Sequence, residues 1–210
     1  MVPYLTEFLI VVIVHLLAVM APGPDFAMIS RNSLVYSRKT GIYSSLGLAL
    51  GILVHVTYSL VGIGFIISKS ILLFSIIKFL GAAYLIYIGY KSIKAKPSKI
   101  KIEGAIGEKD LGRLSAIKMG FFTNVLNPKV TLFFLSLFTQ VINPFTPILI
   151  QVIYGLEMSF MTFLWFSFVA TILSHRLIKR SFSSVQHYIE RAFGVILIAL
   201  GIKVALSRFK

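Results

Sequence analysis

The sequence predicts an all-α integral membrane protein: six transmembrane helices arranged as a 3+3 inverted repeat, with the first and fourth helices broken. Three observations predict it. The chain is 57% hydrophobic and only 13% charged over 210 residues, where a soluble domain is about half apolar and a quarter charged. Its apolar residues gather in segments close to the roughly 20 residues that one membrane crossing needs. The first and fourth of these segments each carry proline in their interior. Helix is the expected state, because open sheet edges cannot be satisfied in lipid and barrel strands would alternate polar with apolar residues.

The first segment runs from about Phe8 to Ser30 and is interrupted by Ala21-Pro22-Gly23-Pro24-Asp25. It lacks the basic start and small-residue cleavage site of a secretory leader and carries Glu7 at its head, so it is expected to be kept as a span. The second, Gly41 to Ile67, holds no formal charge over 27 residues. The third, Ser70 to Tyr90, contains only Lys78. A Lys-rich polar stretch, Lys91 to Lys118, follows. The fourth segment, Met119 to Ile142, holds Asn127-Pro128-Lys129; the fifth, Thr146 to Ser174, holds Glu157; the sixth, about Ala192 to Leu206, is short. Six spans leave no room for a soluble domain. Residues 1–210 therefore read as one transmembrane domain, with repeat halves 1–92 and 114–210 joined by a basic cytoplasmic linker, 93–113.

Charge sets the orientation. With the N-terminus outside, fourteen Lys and Arg face the cytoplasm against four on the other side, as the positive-inside rule requires. Should the sixth segment stop short of spanning, the C-terminus lies inside instead. The net charge of +14 is accordingly read as topology and attraction to an anionic bilayer, not as nucleic-acid binding. The absence of cysteine excludes disulfides and thiolate metal sites. His15 and His55 have no second ligand at i+4, so no metal and no cofactor are expected, and both histidines read as polar packing. No nucleophile–base pair or phosphate-cradling loop is present, so an enzyme or a nucleotide-driven pump is not expected.

The chemistry concentrates at the breaks. Proline inside a helix costs about 3 kcal/mol or more, and an aspartate at mid-membrane about another 2.5–3.5 kcal/mol. Pro22, Gly23, Pro24 and Asp25 make sense if the chain breaks there and faces a polar cavity. The restarting helix near Phe26 suits a carboxylate, and Asp25 suits either a substrate ammonium or a coupling proton. Asn127, Pro128 and Lys129 form the matching break, with Lys129 expected to pair with Asp25 if the two broken spans meet. Arg31, Asn32, Asn124 and Glu157 are secondary candidates. Three spans, a linker and three spans make an inverted repeat, and interrupted helices at corresponding positions point to a transporter's central site.

Five stretches, in order, resemble the LysE/RhtB family of amino-acid exporters. They are Pro22-Gly23-Pro24-Asp25-Phe26 with Arg31-Asn32-Ser33; Gly41 through Gly51-Ile52-Leu53-Val54-His55; Leu80-Gly81-Ala82-Ala83-Tyr84-Leu85 to Gly89; Gly120-Phe121-Phe122-Thr123-Asn124-Val125-Leu126-Asn127-Pro128-Lys129; and Phe133-Phe134. One departure is Thr139-Gln140, where many members have Pro-Gln. The resemblance implies a multi-pass exporter of the inner (cytoplasmic) membrane. It would be driven by protons, carry amino acids or related small metabolites, and be compatible with a homo-oligomer. Export of another small solute or a metal ion is the alternative, and a membrane-embedded enzyme a more distant one.

Overall fold

In the computed structural model the described residues are 2–69, 71–94, 110–143 and 145–173, with 188, 191–192, 194–199, 201–202 and 205–206 beyond them; side chains are described for all of these except 2–3, 63–69, 71–74, 77–78 and 88. Every regular element among them is an α-helix. In order these are α1 (Val2–Met20), α2 (Pro24–Val35), α3 (Arg38–Lys69), α4 (Ile71–Lys94), α5 (Arg113–Val125), α6 (Pro128–Gln140) and α7 (Ile148–Leu173). Residues 191–192, 194–199 and 201–202 are also helical.

The two proline runs break the chain where the sequence places them. Pro24 and Pro128 each open a helix at its first turn, the one helical position where a missing N–H and a fixed φ carry no penalty. α1 and α2 meet at 56°, and α5 and α6 at 58°. α3 and α7 are long and apolar enough to cross a membrane alone, and each bent pair passes the same test as one broken span. The described residues thus hold two to four spans. The third expected segment falls on α4, some of whose side chains lie outside the described residues. The sixth, and residues 95–109 of the linker, lie partly or wholly outside them.

The basic stretch is shorter than charge alone suggests, because Lys91, Lys94, Arg113 and Lys118 are helical. Long basic side chains are good helix formers, and these lean on tyrosines: Lys91 over Tyr87 at 5.3 Å, Lys94 over Tyr90 at 4.5 Å, Arg113 over Tyr43 at 5.7 Å. Such cation–π contacts anchor charge where a helix leaves the lipid. Thr139-Gln140 are the last two residues of α6, Thr139 Oγ1 donating to the Leu135 carbonyl at 2.8 Å.

Helix α3 is the hub, packing on α2, α4, α5, α6 and α7. Its closest crossing is with α5. A Cβ on Gly47 would lie 2.0 Å from the Ile117 carbonyl oxygen, and one on Gly120 would lie 2.0 Å from that of Ser44. Small residues let two helix backbones touch, which is how helices associate when lipid competes for apolar surface. The core between the helices holds Val11, Ile52, Phe134, Phe138 and Met158, all buried. The outer surface is equally apolar: Leu5, Leu9 and Ile13 on α1, and Ile153, Leu156 and Phe160 on α7, are exposed. A continuous apolar exterior of this kind suits hydrocarbon, not water. On α1, Glu7 ties the helix to the α6–α7 loop, accepting from the Asn143 N–H at 3.2 Å and from Thr146 Oγ1 at 3.0 Å.

The α3–α5 crossing is directly testable. Gly120→Val forces backbone apart and should destabilise by at least about 1–3 kcal/mol, the usual overpacking range. Gly62→Ala, whose Cβ meets nothing, should be neutral or gain up to about 1 kcal/mol. Thermal melts of the two detergent-solubilised variants check this, and equal melting temperatures would contradict the packing described.

Candidate functional site

The two breaks meet. Asp25, in the first turn of α2, is buried at 8% exposure. Its Oδ2 accepts from Asn124 Nδ2 at 2.7 Å, and its Oδ1 from Asn127 Nδ2 at 3.0 Å. Asn124 stands in the last turn of α5, and Asn127 is the residue that caps α6. The Asn127 amide is used at both ends, since its Oδ1 also accepts the backbone N–H of Lys129 at 3.0 Å. That is an N-cap bond, satisfying one of the orphan donors at the start of α6.

Lys129 reaches the other way. Its ammonium donates to the carbonyls of Pro22 at 3.1 Å and Ala21 at 3.4 Å, and it is close enough for Asp25 to feel its charge. The cation therefore sits at the carbonyl end of α1 and the carboxylate in the first turn of α2, each on the favourable pole of its helix dipole. Gly23 lies against Lys129: a Cβ there would sit in ordinary contact, 3.5 Å from Nζ. Each break is thus held by side chains from the other.

These groups border a cavity of about 50 Å³, room for a few waters at ~10–15 Å³ each. Asp25, Asn124, Asn127 and Lys129 line one part of it. Phe133, Phe134, Phe166 and Ile52 supply apolar wall, and His15 and Thr162 add a second polar patch. Among the described residues no three His, Asp or Glu converge as metal ligands would.

The profile of the LysE type translocators matches residues 16–208. The chain belongs to the LysE type translocator family. It is a transporter, not an enzyme. A Bacillus subtilis (strain 168) protein named "Uncharacterized membrane protein YrhP" is 33% identical over 196 residues, 90% of this chain and 93% of its own length. The threonine efflux protein of Escherichia coli (strain K12) is 27% identical over 212 residues, covering 96% of this chain and 98% of that one. A Haemophilus influenzae membrane protein is 28% identical over 194 residues, 90% of this chain and 91% of its own. No solved structure matches the chain.

In this translocator the expected residues divide into two groups. Pro22, Gly23, Asp25, Asn124, Asn127 and Lys129 come together, with Pro24 and Pro128 as the helix starts that put them there. Arg31, Asn32 and Glu157 do not join them at the cavity. Arg31 lies over Tyr36 at 5.5 Å. Asn32 is buried between α2, α3 and α5, its amide nitrogen 3.0 Å from Ser44 Oγ and 3.2 Å from the sulfurs of both Met28 and Met119. Glu157 has both carboxyl oxygens buried without a hydrogen-bond partner, on a side of α7 away from the cavity.

His55, which the sequence reads as polar packing, lies outside the cavity lining and braces Asn124 from behind. Its Nε2 contacts the Asn124 carbonyl at 3.1 Å and its Nδ1 the Tyr58 hydroxyl at 2.5 Å. A carbonyl only accepts, so Nε2 carries the proton and Nδ1 accepts from Tyr58. The ring also stacks on Phe134 at 5.5 Å. The row Gly47, Gly51, His55 at i, i+4, i+8 places it there, since these residues lie on one face of a helix. Gly51 faces Asn124 so closely that a Cβ would come within 2.6 Å of Oδ1.

The double use of Asn127 separates two roles. Asn127→Ala removes both the cap and a donor to Asp25, and should cost about 1–3 kcal/mol in a detergent melt. Asn127→Ser keeps a capping oxygen and should recover part of that loss. If the two variants melt together at the wild-type temperature, the double role is wrong.

Proposed function

We propose that this translocator exports amino acids or related small zwitterions across the cytoplasmic membrane by proton antiport, with its N-terminus outside. One observation carries the reading: the carboxylate of one broken helix and the ammonium of the other are held beside one cavity by reciprocal hydrogen bonds. A zwitterion needs this arrangement, with Asp25 for its ammonium and Lys129 with the uncapped start of α2 for its carboxylate. The 27%-identical threonine efflux protein supports an amino acid as cargo.

An architecture of six spans in a 3+3 inverted repeat is part of the proposal. Exchanging the halves maps α1, α2, α3 onto α5, α6, α7, and the packing follows that exchange in several places. α1 lies on α7 as α5 lies on α3, and α2 lies on α7 as α6 lies on α3. The closing helices cross where Gly89 and Gly194 meet, each blocked from bearing a Cβ by the other's carbonyl. The two bends differ by only 2°, being 56° and 58°.

The energetics permit the coupling. Moving one charge through 100 mV is worth about 2.3 kcal/mol, and a tenfold solute gradient costs about 1.4 kcal/mol. One proton per zwitterion sustains roughly a 40-fold gradient from the potential alone.

Asp25→Asn places an amide NH₂ against the amides of Asn124 and Asn127 and removes the titrating group. It should reduce amino-acid efflux from liposomes with an imposed pH gradient to background, while the protein still inserts and elutes as a folded species. Efflux at the wild-type rate would eliminate the assigned role.

A further inference from the structure

Away from the breaks, the cavity has a second polar wall. His15 on α1 and Thr162 on α7 are both about 1% exposed, and His15 Nε2 lies 3.3 Å from Thr162 Oγ1. The other ring nitrogen, Nδ1, has no partner. The ring is otherwise wrapped in aromatics, 6.4 Å from Phe133 and 6.3 Å from Phe134 between centroids. A leucine or phenylalanine would fill that space without the unpaired ring nitrogen, which is costly inside a membrane. What sets His15 apart is that the unpaired nitrogen belongs to a residue lining the cavity.

We infer that His15 and Thr162 form the specificity pole of the cavity, reading the side chain of a small amino acid that carries a hydroxyl or similar neutral hydrogen-bonding group. The inference rests on the export reading above and narrows it. His15 precedes Ala21, the end of the first break, by six residues, about 9 Å of helix. Both polar walls line the same cavity, and in a small hydroxylated amino acid the ammonium and the hydroxyl are only three covalent bonds apart, N–Cα–Cβ–Oγ. A hydroxyl both donates and accepts, so it satisfies Nδ1 whichever ring nitrogen holds the proton. Charged side chains are disfavoured, since Asp25 and Lys129, the charged lining residues, both belong to the opposite pole.

Counterflow uptake into liposomes, which needs no imposed gradient, tests this with threonine and its isostere valine. The wild-type protein should half-saturate with threonine at a concentration about tenfold or more below that for valine, because a site built to hydrogen-bond rejects the analogue that lacks the group. His15→Leu and Thr162→Val should each bring the ratio to within about twofold of unity, chiefly by weakening threonine. A wild-type ratio near one overturns the inference, as does a ratio that survives both substitutions. Should His15→Leu fail to fold, the wild-type ratio and Thr162→Val decide alone. If the wild type carries none of the twenty amino acids, the export reading itself fails; if it carries them without this preference, only the specificity pole does.

Discussion

A broken helix inside a membrane leaves carbonyls and N–H groups that lipid cannot satisfy, and the arrangement around the site follows from satisfying them. Pro22, Pro24 and Pro128 remove donors and stop the i→i−4 ladder. The carbonyls stranded at Ala21 and Pro22 are taken by Lys129, 108 and 107 residues away on the other broken span. The start of α6 is closed by Asn127, whose other amide end holds Asp25. Neither break is self-sufficient. The two broken spans are therefore complementary halves of one polar unit embedded in an apolar bundle.

What brings the halves to this depth is glycine on the neighbouring helix. The Gly47–Gly51–His55 row of α3 receives Gly120 and Asn124 of α5. Contact at Gly47 sets the distance between backbones, the missing side chain at Gly51 admits Asn124, and His55 holds the Asn124 carbonyl. Asn124 is thereby delivered to Asp25 at 2.7 Å. Packing between α3 and α5 and the polar geometry at Asp25 are the same constraint at two scales: adding one methyl group at the crossing would move the amide that the carboxylate needs.

The breaks were legible in the sequence because proline's effect on a helix is absolute and local. Their partners were not, because partners are set by which faces meet. Lys129 was expected to pair with Asp25; its hydrogen bonds go to the Ala21 and Pro22 carbonyls, while two amides take the carboxylate, so the charges act on each other at longer range. His55 packs as a polar residue of the bundle, and its spacing from Gly51 puts it on the face that meets Asn124. Glu157 drew attention as a charge in an apolar run, yet the run's composition does not say which face of α7 it occupies, and its carboxyl stays away from the cavity. Helix ends were displaced where Lys and Arg continue a helix past its apolar part, as at Lys94 and Arg113.

On the proposed reading, the reciprocal lock also explains why a zwitterion would be the natural cargo. The lock consists of amide donors on one carboxylate and one ammonium on two carbonyls. An incoming ammonium competes for the same oxygens of Asp25, and an incoming carboxylate for the same hydrogens of Lys129. A solute carrying both exchanges internal hydrogen bonds for equivalent ones to itself, at little net cost, and in doing so loosens the bonds that tie the two broken helices together. A solute with only one charged group replaces one half of the lock and leaves the other closed. Binding and the separation of the halves are then coupled by stoichiometry: both sets of cross-break bonds must be exchanged before either half can move independently.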